Sequence, residues 1–141
     1  MVDRNGSALR LSLIIPAYNE EARIDSTLQT VERCLGALEG AFEIIVVDDG
    51  STDETARRVR EYASGAARVR LVSYSPNKGK GYAVRQGAFA ARGEYIVFSD
   101  ADMSAPVDQL PLLYSQLENG FDIAIASRAV PGAEIPHHQP L

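Results

Sequence analysis

Two carboxylates one residue apart, Asp100 and Asp102, directly follow the short apolar run Tyr-Ile-Val-Phe at residues 95–98. The run has strand character, and ligands of open α/β sheets bind at the carboxyl ends of the strands. Carboxylates held about 4–5 Å apart repel by about 3–4 kcal/mol at an effective dielectric constant of about 20, unless solvent, a proton or a cation intervenes. Mg²⁺ commonly combines one or two carboxylates with substrate phosphates. The pair therefore predicts a metal–diphosphate site, and an acidic solvated loop that caps the next helix is the alternative.

The bulk composition is that of an ordinary globular protein. The chain has 141 residues, 45% of them hydrophobic and 23% charged, with a net charge of −5. This charge argues against a nucleic-acid or anionic-lipid surface but leaves a local basic patch open. The single Cys34 favours a reducing compartment, and no apolar run approaches the roughly 18 residues of a membrane span. We therefore expect a cytoplasmic domain that buries its own core.

Hydrophobic periodicity predicts strands that alternate with helices. Strands are predicted at residues 9–15, 42–47, 69–74, 95–99 and 121–126, and the helical stripes between them begin at Ile24, Ala56, Val84 and Val107. The unbroken Ile-Ile-Val-Val at residues 44–47 indicates a strand buried on both faces. Residues 51–54 have the spacing of a capping box. The fold class is α/β with a doubly wound, mostly parallel sheet; residues 1–8 are expected to be frayed, 9–130 to form the domain, and 131–141 to be an irregular tail.

Two common nucleotide-binding loops can be tested directly. A dinucleotide fingerprint needs Gly-x-Gly-x-x-Gly after the first strand, but residues 16–20 contain no glycine. Gly79 and Gly81 follow the third strand, with Val84 where the third glycine should be. The chain has no Gly-x-x-x-x-Gly-Lys-Ser/Thr loop either. Both readings fail.

Polar residues instead collect after the predicted strands. They are Tyr18, Asn19 and Glu20 after the first strand, Asp48 and Asp49 after the second, Lys78 and Lys80 after the third, Asp100 and Asp102 after the fourth, and Ser127 and Arg128 after the fifth. Carboxylates accept hydrogen bonds from base N–H groups and ribose hydroxyls, while a metal and Lys or Arg hold a diphosphate. The edge of the predicted sheet therefore suits a nucleoside diphosphate.

Five segments together resemble glycosyltransferase family 2, and most of all its dolichyl-phosphate β-glucosyltransferase-like branch. They are Ile-Ile-Pro-Ala-Tyr-Asn-Glu at 14–20, Val-Val-Asp-Asp-Gly-Ser-Thr-Asp at 46–53, Asn-Lys-Gly-Lys-Gly at 77–81, Ser-Asp-Ala-Asp at 99–102 and Ala-Ser-Arg at 126–128. The resemblance runs from about Leu11 to Arg128. It implies a GT-A fold, a nucleotide-sugar donor such as UDP-glucose, Mg²⁺ or Mn²⁺, inversion at the anomeric carbon, and a polyprenyl or dolichyl phosphate acceptor.

The resemblance also implies roles for individual residues. Asp102 is the expected principal metal ligand, with Asp100 and Ser104 beside it; Asp102 and Arg128 are the expected catalytic residues, Arg128 clamping a phosphate group. The expected nucleotide-binding residues are Pro16, Tyr18, Glu20, Val47, Asp49, Lys78, Gly79, Asp100 and Ala101. Asp48 stays open between a ligand and an orienting residue of its loop, and Lys80 between a ligand and a solvated neighbour. Asp53 is expected to be a helix-start charge.

Members of this family normally continue beyond the point that corresponds to Leu141 and build an acceptor half there, which we expect this chain to lack. A nucleotide-sugar-binding module or fragment without turnover is therefore the alternative to a transferase. A nucleotidyltransferase would need a Gly-rich, basic phosphate loop after the first strand, which residues 16–20 do not offer. We expect no nucleic-acid partner and only peripheral membrane contact for this chain, with the full-length protein at the cytoplasmic face of a membrane.

Overall fold

The computed structural model describes residues 8–38, 41–103 and 109–126. Its elements are β1 (Leu9–Ala17), α1 (Ile24–Leu35), β2 (Ala41–Asp49), α2 (Thr55–Gly65), β3 (Val69–Tyr74), α3 (Lys80–Ala90), β4 (Tyr95–Phe98) and α4 (Leu110–Glu118). The chain divides into two compact units, Met1–Asp108 and Gln109–Leu141. The strands and the first three helices belong to the first unit.

Within the described part of the first unit, four strands form one parallel sheet in the order β3-β2-β1-β4. The predicted α/β class with a doubly wound parallel sheet is thereby confirmed. β2 is central and buried along its whole length, as its run of β-branched residues predicted. The carboxyl ends of the strands meet at one edge, which is where loops can bring distant polar residues together.

Helices cover both faces of the sheet. α1 packs its apolar stripe of Ile24, Leu28, Val31 and Leu35 at 0% exposure and contacts α2. After β3 the chain crosses β2 and β1 and forms β4 on the other side of β1. A right-handed crossover in this direction places α3 on the face of the sheet opposite to α1 and α2. There Gly87 lies so close to the sheet that a Cβ would be 2.4 Å from Cγ2 of Ile14.

The amino end of the sheet holds a buried ion pair. Glu43 on β2 is 5% exposed, and its Oε2 accepts a hydrogen bond from Nε of Arg70 at 2.8 Å. Its Oε1 accepts from Oγ of Ser12 at 2.7 Å and from the backbone N–H of Arg92 at 2.8 Å. The same Ser12 hydroxyl accepts from the N–H of Gly93 at 2.8 Å. Both carboxylate oxygens therefore have partners within the protein, which joins β1, β2, β3 and the segment before β4.

The second unit contains α4, whose Leu110 and Tyr114 are buried. The strand predicted at residues 121–126 is wrong: this segment forms no strand, and Phe121, Ile123 and Ile125 are 61%, 76% and 80% exposed. Alternating apolar residues mark one face of a strand, but a strand also needs a paired neighbour. None of the helices in the described ranges combines the length and the apolar character that crossing a membrane requires.

Candidate functional site

A cavity of about 350 Å³ opens at the carboxyl edge of the sheet. Most of the predicted site residues line it: Pro16, Tyr18, Glu20, Asp49, Gly79, Asp100, Ala101 and Asp102. Ala17, Asn77, Lys80 and Ala83 complete the lining. Four separate segments of sequence thus meet at one site, as the parallel order of the strands requires.

The loop after β1 is held by the loop after β2. The N–H of Asn19 donates to Oγ of Ser51 at 3.0 Å, and Oδ1 of Asn19 accepts from the N–H of Thr52 at 2.9 Å. Asn19 has φ +55°, a conformation that Asn tolerates better than most residues. This reciprocal pair presents Tyr18, 47% exposed, at the cavity.

The predicted capping box is not formed, because its serine serves this loop. α2 begins at Thr55 without a side-chain cap, and the Ser51 hydroxyl accepts from Asn19 instead. Asp53 lies at the helix start, accepting from the N–H of Thr55 at 3.0 Å. Burial pushes the pKa of Asp53 upward, but hydrogen bonds from the side chain and backbone of Thr55 outweigh it, so that the pKa lies below its usual value.

Asp49 fixes the loop that leads into α3. Its side chain is buried, and its two oxygens accept from the backbone N–H groups of Lys78 and Gly79, each at 2.8 Å. The neighbouring Gly50 has φ +71°, and a Cβ there would lie 2.7 Å from the backbone nitrogen of Asn77. Only glycine allows β2 and this loop to approach so closely. Each carboxylate oxygen keeps a second lone pair for a ligand.

The side chain of Lys78 points to aromatic rings and does not line the cavity. Its Nζ lies 4.6 Å from the ring centroid of Tyr82 and 5.8 Å from that of Tyr74. The two rings contact each other edge to face at 5.2 Å. Burial, and then the neighbouring Asp49 carboxylate, raise the pKa of Tyr74 well above its usual value. Only the backbone of Lys78 therefore contributes to the site, through Asp49.

The Asp-Ala-Asp segment is anchored in its middle. Ala101 is 4% exposed, and its carbonyl accepts a buried hydrogen bond of 2.7 Å from Oγ1 of Thr27 on α1. On one side of this anchor, Oδ1 of Asp100 lies 2.5 Å from Nζ of Lys80. On the other side Asp102 is exposed. The backbone is thus fixed while both carboxylates stay accessible.

The carboxylate oxygens of Asp100 and Asp102 suit a divalent ion that the phosphates of a ligand also coordinate. The described residues contain no group of three or more His, Cys, Asp or Glu placed to hold an ion. Two carboxylates beside an open cavity are what Mg²⁺ or Mn²⁺ uses when substrate phosphates supply further oxygens. Asp100 and Asp102 therefore fit a divalent ion that arrives with a diphosphate, and do not form a closed protein cage.

The opposite wall of the cavity is electropositive. α3 begins there, with Gly79 as its N-cap at φ +90° and Lys80 as its first residue. The first turn has no acidic residue. A helix N-terminus carries a partial positive charge and exposes backbone N–H groups, and Lys80 adds a full charge. The cavity thus brings the N-terminus of α3 and Lys80 next to the acidic segment, with Lys80 paired to Asp100, and groups of both signs suit a metal-bound diphosphate.

The remaining predicted site residues do not line the cavity or lie outside the described residues. Val47 is fully buried in the core with Ile14 and Ile45, so its side chain is a packing residue and the prediction that it lines the pocket is not met. Asp48 is buried too, and accepts from the N–H of Ser51 and from Oγ of Ser73, which supports an orienting role. Ser104 and Arg128 lie outside the described residues.

Two residues that line or support the site had no predicted role, and the role of a third residue was left open. Asn77 belongs to the motif at 77–81 but was given no role of its own, although it lines the cavity. Thr27 was not singled out; its signal in the sequence is its place three residues after Ile24 and four before Val31, which puts a polar residue on the apolar stripe of α1. Lys80 stayed open in the sequence and is a cavity residue in the structure.

Comparison with known proteins shows to which family the chain belongs. Residues 12–140 match the model of Glycosyl transferase family 2. The chain is 41% identical over 138 residues to a dolichyl-phosphate beta-glucosyltransferase of Drosophila melanogaster, covering 86% of this chain and 41% of that protein. It is 35% identical over 127 residues to a dolichol-phosphate mannosyltransferase of Pyrococcus furiosus, covering 90% and 35%. The chain thus spans about two-fifths of the length of these relatives.

Solved structures agree with the fold. The mannosyltransferase PcManGT of Pyrobaculum calidifontis, in complex with GDP-Man and Mn²⁺, has a TM-score of 0.60 and 30% identity, over 71% of this chain and 29% of that one. Glucosyl-3-phosphoglycerate synthase of Mycobacterium tuberculosis, with Mn²⁺, UDP and glucosyl-3-phosphoglycerate, has a TM-score of 0.59 and 34% identity, over 77% and 39%. These neighbours support the GT-A assignment. With the family match over nearly its whole length, the chain belongs to glycosyl transferase family 2.

Proposed function

We propose that this chain is the nucleotide-sugar-binding part of an inverting glycosyltransferase that transfers a hexosyl group to a polyprenyl phosphate. UDP-glucose is the proposed donor, and Mg²⁺ or Mn²⁺ the proposed metal. The observation that carries the proposal is the cavity in which Asp49, Asp100 and Asp102 face the N-terminus of α3. Relatives named for dolichyl-phosphate glucosyl and mannosyl transfer support the lipid acceptor.

Different cavity residues are proposed to bind different parts of the nucleotide-sugar donor. Tyr18 and Pro16 offer an aromatic and an apolar surface to the base, and Asp49 and Glu20 offer acceptors for base N–H groups and ribose hydroxyls. Lys80 and the backbone N–H groups of α3 face the diphosphate. Asp100 and Asp102 would hold the divalent ion, whose contribution is to neutralise charge that develops on the leaving diphosphate. Arg128 is proposed as a further phosphate clamp.

The proposed transfer needs little proton chemistry from the protein. A phosphate oxygen of the acceptor attacks the anomeric carbon from the face opposite the diphosphate. The new carbon–oxygen bond forms as the bond to the diphosphate breaks, and the nucleoside diphosphate leaves with the electron pair. A phosphate monoester has a second pKa near about 6, so it is already largely ionised at neutral pH and needs no general base. This outcome inverts the anomeric configuration.

A binding module without turnover is the second candidate, because the chain spans only about two-fifths of its relatives. Both candidates need the same donor cavity. They differ in whether radiolabelled glucose passes from UDP-glucose to a polyprenyl phosphate, or is released as free sugar. Metal-dependent UDP binding without either product would favour the module.

Calorimetry with UDP, GDP and UDP-glucose, with and without Mn²⁺, tests the donor site. We expect Mn²⁺ to strengthen UDP binding, and Asp102→Ala to abolish that metal-dependent part while the fold, followed by circular dichroism, is unchanged. The matched control is Asp122→Ala, which removes an exposed carboxylate that does not line the cavity. If Asp102→Ala binds UDP and Mn²⁺ as the parent does, the site assignment is wrong.

A further inference from the structure

The charge of this chain is unevenly distributed. The protein has 19 acidic residues and a net charge of −5, yet residues 66–93 contain six cationic residues and no Asp or Glu. This stretch forms β3, the following loop and α3. The excess of acid is therefore carried by the rest of the chain, and one βα unit is strongly basic.

Half of these cations serve the interior or the donor cavity. Arg70 pairs with the buried Glu43, Lys80 with Asp100, and Arg68 lies 4.4 Å from the ring centroid of Phe42. The other three are Lys78, directly before the N-cap Gly79, Arg85 on α3, and Arg92 after the end of the helix. None of them makes an ion pair with an acidic residue in the described ranges.

On α3 the remaining cations are interleaved with aromatic rings. Arg85 lies 5.6 Å from the ring centroid of Tyr82 and 5.7 Å from that of Phe89, and Lys78 lies over Tyr82 from the other side. Phe89 is 77% exposed, the most exposed large hydrophobic side chain among the described residues of the first unit. We call Lys78, Tyr82, Arg85 and Phe89 the outer face of α3.

The outer face is directed away from the core. Ala83 and Gly87 form the buried side of the helix, and Gly87 approaches Ile14 and Val47. Helical spacing puts residues 82, 85 and 89 on the opposite side. The cations and the exposed phenyl ring thus share one convex surface, and no acidic residue of α3 neutralises it.

We propose that the outer face of α3 binds the surface of a membrane that contains anionic lipid. Arg and Lys near such a surface are attracted to the lipid headgroups, while an aromatic side chain enters the interface between headgroups and acyl chains. The net charge of −5 opposes both kinds of anionic partner, so the exposed phenyl ring of Phe89 is what favours lipid over nucleic acid. The inference stands on charge and exposure, and does not depend on the proposed transfer reaction.

Vesicle co-sedimentation of the 141-residue chain, without nucleotide sugar, tests the proposal. The probes are vesicles of phosphatidylcholine alone and of phosphatidylcholine with about a quarter phosphatidylglycerol. We expect binding only to the anionic vesicles, and weaker binding when NaCl rises from about 0.1 M to about 0.5 M, because salt screens exposed charges. Arg85→Glu should weaken binding about 25-fold, since each unit of charge near the surface changes affinity about fivefold.

Two further variants separate the contributions. Phe89→Ser should weaken vesicle binding about tenfold, because the buried phenyl area is lost. Arg85→Lys keeps the charge and should bind within about twofold of the parent. The matched control is Arg60→Glu on α2, an exposed arginine on the opposite face of the sheet, which should change binding by less than about twofold.

The results decide the proposal either way. Equal binding to neutral and anionic vesicles, or parent-like binding by Arg85→Glu, would overturn it. So would a loss of binding by Arg60→Glu equal to that of Arg85→Glu, because the effect would then be one of net charge. A duplex DNA competitor that binds the chain more tightly than the anionic vesicles, with no effect of Phe89→Ser, would assign the face to nucleic acid. UDP binding by Arg85→Glu should stay at the parent level, which separates this test from that of the donor site.

Discussion

The two ends of the sheet use acidic residues in opposite ways. At the amino end, Glu43 is 5% exposed, and Arg70, Ser12 and a backbone N–H occupy its two oxygens. At the carboxyl end, Asp100 is partly exposed and pairs with an exposed lysine across an open cavity. The first carboxylate is fully used by the fold, whereas the second keeps access to solvent and ligand. The surroundings of an acid, more than its presence, therefore separate a structural from a functional residue.

Asp49 lies between these extremes. It is as buried as Glu43 and accepts two backbone N–H bonds, yet it lines the cavity. It therefore holds the loop before α3 and also borders the proposed ligand. Asp49 therefore links the stability of the loop before α3 to the affinity of the cavity for the proposed ligand.

The sharpest test of the comparison removes one acid from each end. Glu43→Ala leaves Arg70 without its buried partner and should lower the free energy of unfolding by about 3–5 kcal/mol. Asp100→Ala breaks a pair that is largely exposed and should change it by no more than about 1 kcal/mol. Urea unfolding followed by circular dichroism measures both. Equal losses for the two variants would contradict the distinction drawn here.

A second test disturbs the backbone at the carboxyl end. Gly50→Ala would place a Cβ 2.7 Å from the nitrogen of Asn77, at φ +71°. We expect a loss of about 1–3 kcal/mol in unfolding free energy and weaker UDP binding, because the strained turn positions the loop held by Asp49. Gly65→Ala is the control, since nothing lies within 4 Å of its added Cβ at the end of α2. Parent-like UDP binding by Gly50→Ala would show that this loop does not shape the cavity.

A third test asks what the lysine at the carboxyl end does. Because Lys80 neutralises Asp100, Lys80→Met should strengthen Mn²⁺ binding in the absence of nucleotide, by up to about fivefold. The same variant should weaken UDP binding in the presence of Mn²⁺, because a charge that faces the diphosphate is lost. Electron paramagnetic resonance measures free Mn²⁺ and calorimetry measures UDP. Arg85→Met, on α3 but outside the cavity, is the control; changes of the same sign in both affinities would contradict the prediction.

The smallest effect concerns alkaline pH. The folded protein keeps the Tyr74 proton at a pH where the unfolded chain, with a tyrosine pKa of about 10, loses it. Stability should therefore fall as pH rises above about 10. Burial and the Glu32 carboxylate raise the pKa of Tyr62 to about 12, so this residue acts in the same direction. Urea unfolding between about pH 8 and 11 should show a shallower decline for Tyr74→Phe, and an unchanged slope would contradict this assignment.

The sequence predicted those parts of the fold that local patterns determine. The Ile-Ile-Val-Val run of β2 is buried on both faces, and β3 has the predicted bounds. Parallel strands then had to bring Tyr18, Asp49 and Asp100 to one edge, which the cavity confirms. Patterns of this kind depend only on neighbouring residues and on the rules that connect strands through helices.

The failures have long-range causes. Residues 121–126 alternate as a strand does, but no pattern within the segment reveals whether a partner strand lies beside it. Ser51 has the spacing of a cap, and its hydroxyl was taken by Asn19, 32 residues away. Val47 matched a nucleotide-binding position by motif, yet the close approach of Gly87 packs its side chain into the core. Glu43 was assigned no role, because no pattern in the neighbouring residues indicates its contact with Arg70.

The hydrogen bond between Thr27 and the carbonyl of Ala101 has a consequence for how the protein takes up an ion. Loops that wrap a cation usually have to become ordered as they do so, and that ordering subtracts from affinity. Here a helix of the core holds the peptide between the two aspartates before any ion arrives. If Asp100 and Asp102 hold the proposed ion, its binding requires the release of Lys80 from Asp100 and the rotation of two short side chains, with little new ordering of the backbone.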